Sequence, residues 1–286
     1  MEKLDLIQVL LYSIFLGGIY AITAIGLNLI FGVMKIVNFS HGVLVMLGAY
    51  FAFWIWKLYG ISPYISISVC FIILMFLGFG IYALIKKFEG DRDFELLSLV
   101  ITFGISIVIV NLVRYIWTSR FRGVFLMLKS LEIYGMSLST SRIIPFAIGL
   151  IITIGLYFYM KKSFVGRALR AVSQDAEASQ LMGINKRNMY LISCGIGCGL
   201  AGVAGSLFCT IYAIYPEMGF SFTVLAFCIV VLGGLGSFKG TLIASFILAI
   251  SEGLTGFTFG SGWKPFASYF IIIMVLLLRG RYLAAR

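Results

Sequence analysis

The residues that could carry chemistry in this chain lie within or between long apolar runs. Asn38, Ser40, His41 and Gly42 are grouped between the first two runs, and Glu252 lies alone inside a later one. Polar groups at membrane depth are costly and usually face the interior of a helix bundle. For Glu252 the sequence leaves two roles open, a hydrogen bond between helices or a place in a translocation path.

The group between the first two runs has a structural and a functional interpretation. Asn38 and Ser40 suit the cap of the helix that follows, and Gly42 suits a turn. His41, the only histidine, could relay protons or contact a ligand. A single histidine without an acidic neighbour makes a poor relay, so capping and turn formation is the favoured interpretation.

A catalytic centre is not indicated by the sequence. It contains no Gly-rich phosphate loop ending in Lys and Ser or Thr, no Ser, His and Asp set, and no paired histidines for zinc. All five cysteines lie within apolar runs, where a thiol behaves as a small hydrophobe. We therefore expect no catalytic residue, no bound metal and no cofactor. If the chain's activity needs ATP, another subunit must hydrolyse it.

The polar segment 161–188 interrupts the apolar sequence and contains an Ala-rich stretch that predicts a short helix. Ser173 is predicted to cap this helix, and Gly183 is predicted to end it. Two acids fall in its first turns, near the positive end of the helix dipole. Ala176, Leu181 and Met182 remain as a small apolar face, which is too small for strong insertion into a bilayer and favours docking on a partner. The stretch with the two acids and the glycine contains Asp175, Glu177, Ala178, Ser179 and Gly183.

The scaffold that must position these residues is predicted from composition. Hydrophobic residues make up 61% of the chain, charged residues 12%, and the mean hydropathy is +1.07, whereas soluble chains carry about 25% charged residues. Since a crossing needs about 20 apolar residues, we expect about nine crossings, within a range of about eight to ten. The apolar runs lie at 6–33, 42–57, 64–85, 96–117, 143–160, 190–214, 220–237, 241–259 and 266–280.

This pattern predicts an all-α polytopic membrane bundle, with residues 1–286 as a single transmembrane domain and residues 163–188 as a loop within it. The second run is short. Around residues 233–240 a re-entrant loop could replace a crossing.

The basic residues predict the orientation of the bundle. If the segment 161–188 is cytoplasmic and sides alternate, 14 of the 22 basic residues lie inside and 8 outside. This excess agrees with the positive-inside rule and predicts an outer N-terminus and a cytoplasmic C-terminus. The outer loop 118–142 weakens the prediction, because it carries four basic residues. The charge is scattered between apolar runs, so the expected partner is the lipid bilayer and not nucleic acid.

Glu177, Ala178, Ser179 and Gly183 resemble the Glu-Ala-Ala, three residues, Gly motif with which permease subunits of ABC importers dock on their ATPase. The longer form of that motif continues to an Ile and Pro pair, and this sequence has no such proline. A more specific resemblance, over nearly the whole chain, is to the branched-chain amino acid permease family. It is carried by GLNLIFGVMKIVNFSHGVLVMLGAY at 26–50, GRALRAVSQDAEASQLMGIN at 166–185 and VVLGGLGSFKGTLIASFILAI at 230–250.

The blocks look like those of the shorter, first permease of a related pair. The resemblance implies an importer built from two membrane subunits, two ATPase subunits and an extracytoplasmic substrate-binding protein. It also implies alternating access, with the coupling helix around residues 174–183 moved by the ATPases. Leucine, isoleucine and valine are the implied cargo, while urea or short amides suit other permeases of the same architecture. An ATP-independent channel or facilitator is the alternative from another class.

Overall fold

The computed structural model describes residues 2–90, 92–124, 126, 128–133 and 136–284. Helices dominate this part of the chain. They are α1 (Glu2–Met34), α2 (His41–Tyr59), α3 (Pro63–Ile85), α4 (Phe94–Trp117), α5 (Thr140–Lys162), α6 (Phe164–Gln174), α7 (Ala176–Leu181), α8 (Lys186–Phe208), α9 (Met218–Gly233), α10 (Phe238–Thr258) and α11 (Lys264–Ala284), with 3-10 turns at Lys86–Phe88 and Ser261–Trp263.

Each of the nine apolar runs overlaps one long helix, so the predicted polytopic helical bundle is confirmed, although the runs 190–214 and 220–237 extend past the ends of α8 and α9. In the described part of the chain, seven helices have the length and apolar composition of a membrane crossing: α1 to α5, α8 and α10. Helix α9 has only 16 residues, which is short of the roughly 20 that span a hydrocarbon core. The count of nine crossings therefore remains a prediction where α9 and α11 are concerned.

Helix α8 lies at the centre of the bundle, against α1, α2 and α3. Its glycines allow these close approaches, as the spacing of small residues predicts. A Cβ at Gly197 would lie 2.6 Å from the carbonyl oxygen of Gly26, and one at Gly202 would lie 2.7 Å from that of Cys70. The buried core includes the α1, α2, α3 and α8 faces that meet there, together with residues of α6, α9 and α10.

Two short antiparallel strands depart from the all-α prediction. They are β1 (Leu131–Ile133) and β2 (Met136–Leu138), with Leu131 opposite Leu138. The Tyr12 hydroxyl on α1 donates a hydrogen bond to the Ser137 carbonyl oxygen at 2.9 Å. The strand pair is therefore hydrogen-bonded to the N-terminal part of α1.

The bundle has two distinct ends. We call residues 163–185, which contain α6 and α7, the elbow. Lys186 Nζ lies 2.8 Å from Glu89 Oε1, so the elbow lies at the same end as the α3–α4 connection. The opposite end carries β1 and β2, and we call it the strand end.

Candidate functional site

The elbow consists of two short helices separated by Asp175. The backbone of Asp175 is extended, with φ −150° and ψ 107°, which ends α6 and begins α7. Its Oδ1 accepts hydrogen bonds from the N–H groups of Glu177 and Ala178, both at 2.9 Å. The predicted cap at Ser173 is wrong, because Ser173 lies inside α6 and its hydroxyl donates to the Arg170 carbonyl oxygen at 2.8 Å.

Helix α7 ends at Leu181, and the predicted stop, Gly183, lies two residues beyond it. Gly183 has φ +83°, in the left-handed region that favours glycine. The Ile184 N–H donates to the Ser179 carbonyl oxygen and the Gly183 N–H to that of Gln180, both at 3.0 Å. These two bonds are the pair found in a Schellman motif, which satisfies the last carbonyls of a helix.

The two faces of α7 differ in exposure. Ser179 is buried against the bundle, while Leu181 is 91% exposed and Met182 is 83% exposed. Ala176 is only partly exposed and packs against the core, so it does not belong to the predicted docking face. Glu177 is exposed beside the apolar pair. Helix α7 with its C-cap residue Met182 therefore presents two large apolar side chains and a carboxylate at one end of the bundle.

The break between α1 and α2 is buried, unlike the elbow. Asn38 Oδ1 accepts hydrogen bonds from the Ser40 N–H at 3.1 Å and from the Ser40 hydroxyl at 2.6 Å. Ser40 occupies the N-cap position of α2, but its side chain makes no capping bond to the helix. The Asn38 side chain thus forms an Asx turn with Ser40. The predicted capping is wrong for both residues, because neither side chain accepts a hydrogen bond from a backbone N–H of α2.

His41 and Gly42 begin α2 deep inside the bundle. His41 Nε2 lies 2.8 Å from the Thr23 carbonyl oxygen on α1, so this nitrogen is the donor. Gly42 lies in the first turn of α2 and not in a preceding turn, which corrects its predicted role. A Cβ at Gly42 would lie 2.1 Å from the Thr223 backbone nitrogen on α9. Glycine is therefore required there by the close approach of two helices.

Glu252 joins three helices. It is 7% exposed on α10, and its Oε2 accepts a hydrogen bond from the Tyr20 hydroxyl on α1 at 2.8 Å. Its Oε1 accepts a second bond from the Ser268 hydroxyl on α11. Sequence reasoning missed Tyr20 and Ser268, although both are polar residues within apolar runs, the signal that identified Glu252.

A cavity of about 870 Å³ lies at the strand end, next to Glu252. It is bounded by α1, α9, α10, α11 and the connection from α8 to α9, and its lining includes Glu252, Tyr20 and Ser268. Asn38, Ser40, His41 and Gly42 do not line it. The structure thus separates the predicted pathway residues into a buried helix break and a cavity wall.

Among the described residues, no group of three or more His, Cys, Asp or Glu side chains could hold a metal ion. The five cysteines are buried and unpaired.

Comparison with known proteins extends these observations. Residues 9–279 match the family model described as the permease component of branched-chain amino acid transport systems. One relative, the high-affinity branched-chain amino acid transport system permease protein BraD of Pseudomonas aeruginosa, is 28% identical over 96% of this chain and 94% of its own length. The permease protein LivH of the corresponding high-affinity system in Escherichia coli is 29% identical over 97% of this chain and 94% of its own length.

A second type of relative matches less closely. The permease protein LivM of the Escherichia coli system is 24% identical over 82% of this chain and 61% of its own length. No solved structure matches the chain.

Proposed function

The chain belongs to the family of permease components of branched-chain amino acid transport systems, and from that premise we propose that it is a membrane-spanning subunit of an ATP-driven importer of branched-chain amino acids. Its partners are two ATPase subunits at the elbow, a second related permease beside it, and an extracytoplasmic binding protein at the strand end. The elbow and the C-terminus are cytoplasmic. The chain itself performs no hydrolysis.

The observation that carries this proposal is the exposed apolar pair on α7. Leu181 and Met182 are 91% and 83% exposed, at the end of a helix of only six residues. The end of the bundle that carries them also bears the basic residues of the segment 161–188, which are typical of a cytoplasmic face. Large apolar side chains in water indicate a protein partner, and an ATPase subunit is the partner that a transport permease needs there.

The contacts of the elbow can transmit a movement of α7 to α5 and α8. Leu169 and Val172 on α6 are buried, and the Arg170 guanidinium donates to the Met160 carbonyl oxygen in the last turns of α5. At the other side of α7, Asn185 caps α8 by accepting from the Asn188 N–H at 3.2 Å. When the ATPases close, α7 moves with them, and α5 and α8 change tilt as attached rigid elements. The transport pathway then switches between sides.

A second permease subunit is supported by the two types of relative. LivH and LivM of Escherichia coli are both named as permease proteins of the same high-affinity system, and both match this chain. The exposed apolar faces of α4 and α5 offer surface for such a subunit as well as for lipid. The pathway is then completed between two related chains.

Reconstitution of the four kinds of subunit in proteoliposomes tests the function. We expect ATP-dependent uptake of labelled leucine, and no comparable uptake of labelled urea or acetamide. Uptake of urea or acetamide in place of leucine would assign a different cargo. Leucine uptake without ATP would identify a channel or facilitator and overturn the proposal.

Docking is tested separately by combining Glu177→Arg with Gly183→Asp. The double variant reverses the charge of the exposed face and removes the glycine that ends α7. We expect both transport and ATPase association to be lost. Retention of both would show that docking lies elsewhere.

A further inference from the structure

We propose that the cavity at the strand end binds a small amino acid as a zwitterion, and that Glu252 is the residue that recognises its ammonium group. The inference rests on the proposed function and adds to it which part of the cargo the permease itself contacts. Since the elbow is the cytoplasmic end, this cavity opens toward the side from which the binding protein delivers.

Glu252 is fixed in one orientation at the cavity wall. Its Oε2 accepts from the Tyr20 hydroxyl at 2.8 Å and its Oε1 from the Ser268 hydroxyl, so helices on both sides of α10 hold it. A carboxylate has about four acceptor positions, and two hydroxyls fill about half of them. The remaining positions can accept donors from a molecule in the cavity. An ammonium group has three N–H donors and the opposite charge, which makes it the best complement.

The cavity also contains positive charge. Arg142 and Lys264 line it together with Glu252, and the Arg142 guanidinium is held over the Tyr12 ring, with its central carbon 4.3 Å from the ring centroid. Such groups suit the carboxylate of an amino acid. A zwitterionic amino acid thus finds an opposite charge for its ammonium group and another for its carboxylate. A neutral amide or urea carries neither charge.

The remaining wall is largely apolar. Phe208 and Phe222 both line the cavity, with ring centroids 4.4 Å apart, and Leu16, Met218 and Leu225 lie on the same wall. A branched aliphatic side chain that packs against such a surface is removed from water. This burial favours binding by about 0.8 kcal/mol of free energy for each methylene. The volume of about 870 Å³ falls in the range of about 300–1,000 Å³ that is common for small-molecule sites.

The test is the ratio of leucine transported to ATP hydrolysed by the complete importer in proteoliposomes. Glu252→Gln keeps the shape but loses the charge that holds the ammonium group, and hydrogen bonds to charged groups are among the stronger ones. We expect the ratio to fall about tenfold, with the leucine concentration for half-maximal uptake unchanged, because the binding protein captures leucine from solution.

Two further variants serve as controls. Glu252→Asp should retain part of the activity. Glu132→Gln, which removes an exposed carboxylate on β1, is the matched control and should leave the ratio unchanged.

Two failures are distinguishable in this experiment. A wild-type importer without ATP-dependent leucine uptake would overturn the proposed function. A wild-type importer that transports leucine, with a Glu252→Gln variant of the same ratio, would overturn only the role of Glu252.

A labelling experiment keeps the inference testable if Glu252→Gln does not assemble. Phe257 lies at the cavity and is exposed, while the five native cysteines are buried. In the assembled importer without its binding protein, leucine should slow maleimide labelling of a Phe257→Cys variant severalfold. The analogue 4-methylpentanoate, which lacks the ammonium group, should not. Equal protection by both compounds, or protection by neither, would contradict ammonium recognition in this cavity.

Discussion

Asn38 and Asp175 both accept two hydrogen bonds just before a helix begins, but in opposite surroundings. Each side chain accepts two hydrogen bonds through Oδ1, from Ser40 in one case and from Glu177 and Ala178 in the other. Asn38 is 2% exposed within the bundle, whereas Asp175 lies in the exposed elbow. The buried break completes the packing of the bundle, and the exposed one supports a helix that projects from it.

The difference shows which feature indicates a partner. Polar groups interrupt the apolar sequence in both regions, and in both a side-chain Oδ1 accepts hydrogen bonds from nearby backbone N–H groups. Of the two regions, the elbow is the one that leaves large apolar side chains exposed, Leu181 and Met182 most of all. Exposed apolar area, and not polarity, therefore distinguishes the proposed docking surface from the buried break.

The largest effect is expected for Gly42→Leu. The first added carbon alone would lie 2.1 Å from the Thr223 backbone nitrogen and 2.4 Å from the Gly219 carbonyl oxygen. Since neither backbone can move without separating α2 from α9, we expect a loss of more than about 3 kcal/mol and little folded protein. Thermal unfolding followed by fluorescence-detected size exclusion measures this loss.

Two control variants give unfolding temperatures with which Gly42→Leu is compared. Gly104→Leu on α4 faces open space and should leave the unfolding temperature nearly unchanged. Gly183→Ala in the elbow meets no atom within 4 Å but keeps φ +83°, which costs an alanine about 1 kcal/mol. If Gly42→Leu unfolds at the temperature of Gly104→Leu, the packing of the break is not as described.

A smaller contrast is expected between Asn38→Ala and Asp175→Ala. Loss of Asn38 leaves a buried N–H and a buried hydroxyl without an acceptor, at about 1–3 kcal/mol for each group. Loss of Asp175 exposes two N–H groups to water and costs about 1 kcal/mol, the usual value for a helix cap.

Hydrogen exchange separates these two variants. Asp175→Ala should speed exchange at the amides of Glu177 and Ala178 about fivefold while the global unfolding temperature stays the same, and Ser173→Ala should not. Asn38→Ala should lower the global unfolding temperature. Equal global destabilisation by both variants would contradict the difference in burial.

The smallest effect concerns two ion pairs at the two ends of the bundle. Lys186 and Glu89 approach to 2.8 Å at the elbow end. Arg114 and Glu217 approach to 2.8 Å at the strand end, where both side chains are more exposed. Double-mutant cycles should give a coupling of about 0.5–1 kcal/mol for the first pair and less for the second, since exposed pairs are screened by water and salt. A larger coupling for Arg114 with Glu217 would reverse this ranking.

The apolar runs predict the helices because hydrophobic length is a local property of the sequence. Each of the nine runs overlaps a long helix, and Gly183, just beyond the end of α7, has the left-handed backbone that stops a helix. The two short strands escaped prediction, since each has only three residues and no long alternating pattern.

Two of the remaining errors concern contacts between distant residues, and a third concerns a local choice of helix cap. Tyr20 and Glu252 are 232 residues apart, and no local spacing brings them together. Gly42 has a turn-like neighbourhood in sequence, and only the approach of α9 shows why it is glycine. Ser173 and Asp175 are both acceptable caps, and the choice between them depends on where the backbone of α6 becomes extended.

The central claim is that α7 docks on an ATPase through its exposed apolar pair. Co-purification of the ATPase subunits with a Leu181→Asp, Met182→Asp variant tests it most directly. The matched control is Leu58→Asp with Tyr59→Asp, another adjacent exposed apolar pair, at the end of α2. We predict that the α7 variant folds and loses the ATPase subunits, whereas the α2 variant retains them. Retention of the ATPase subunits by the α7 variant would contradict the claim.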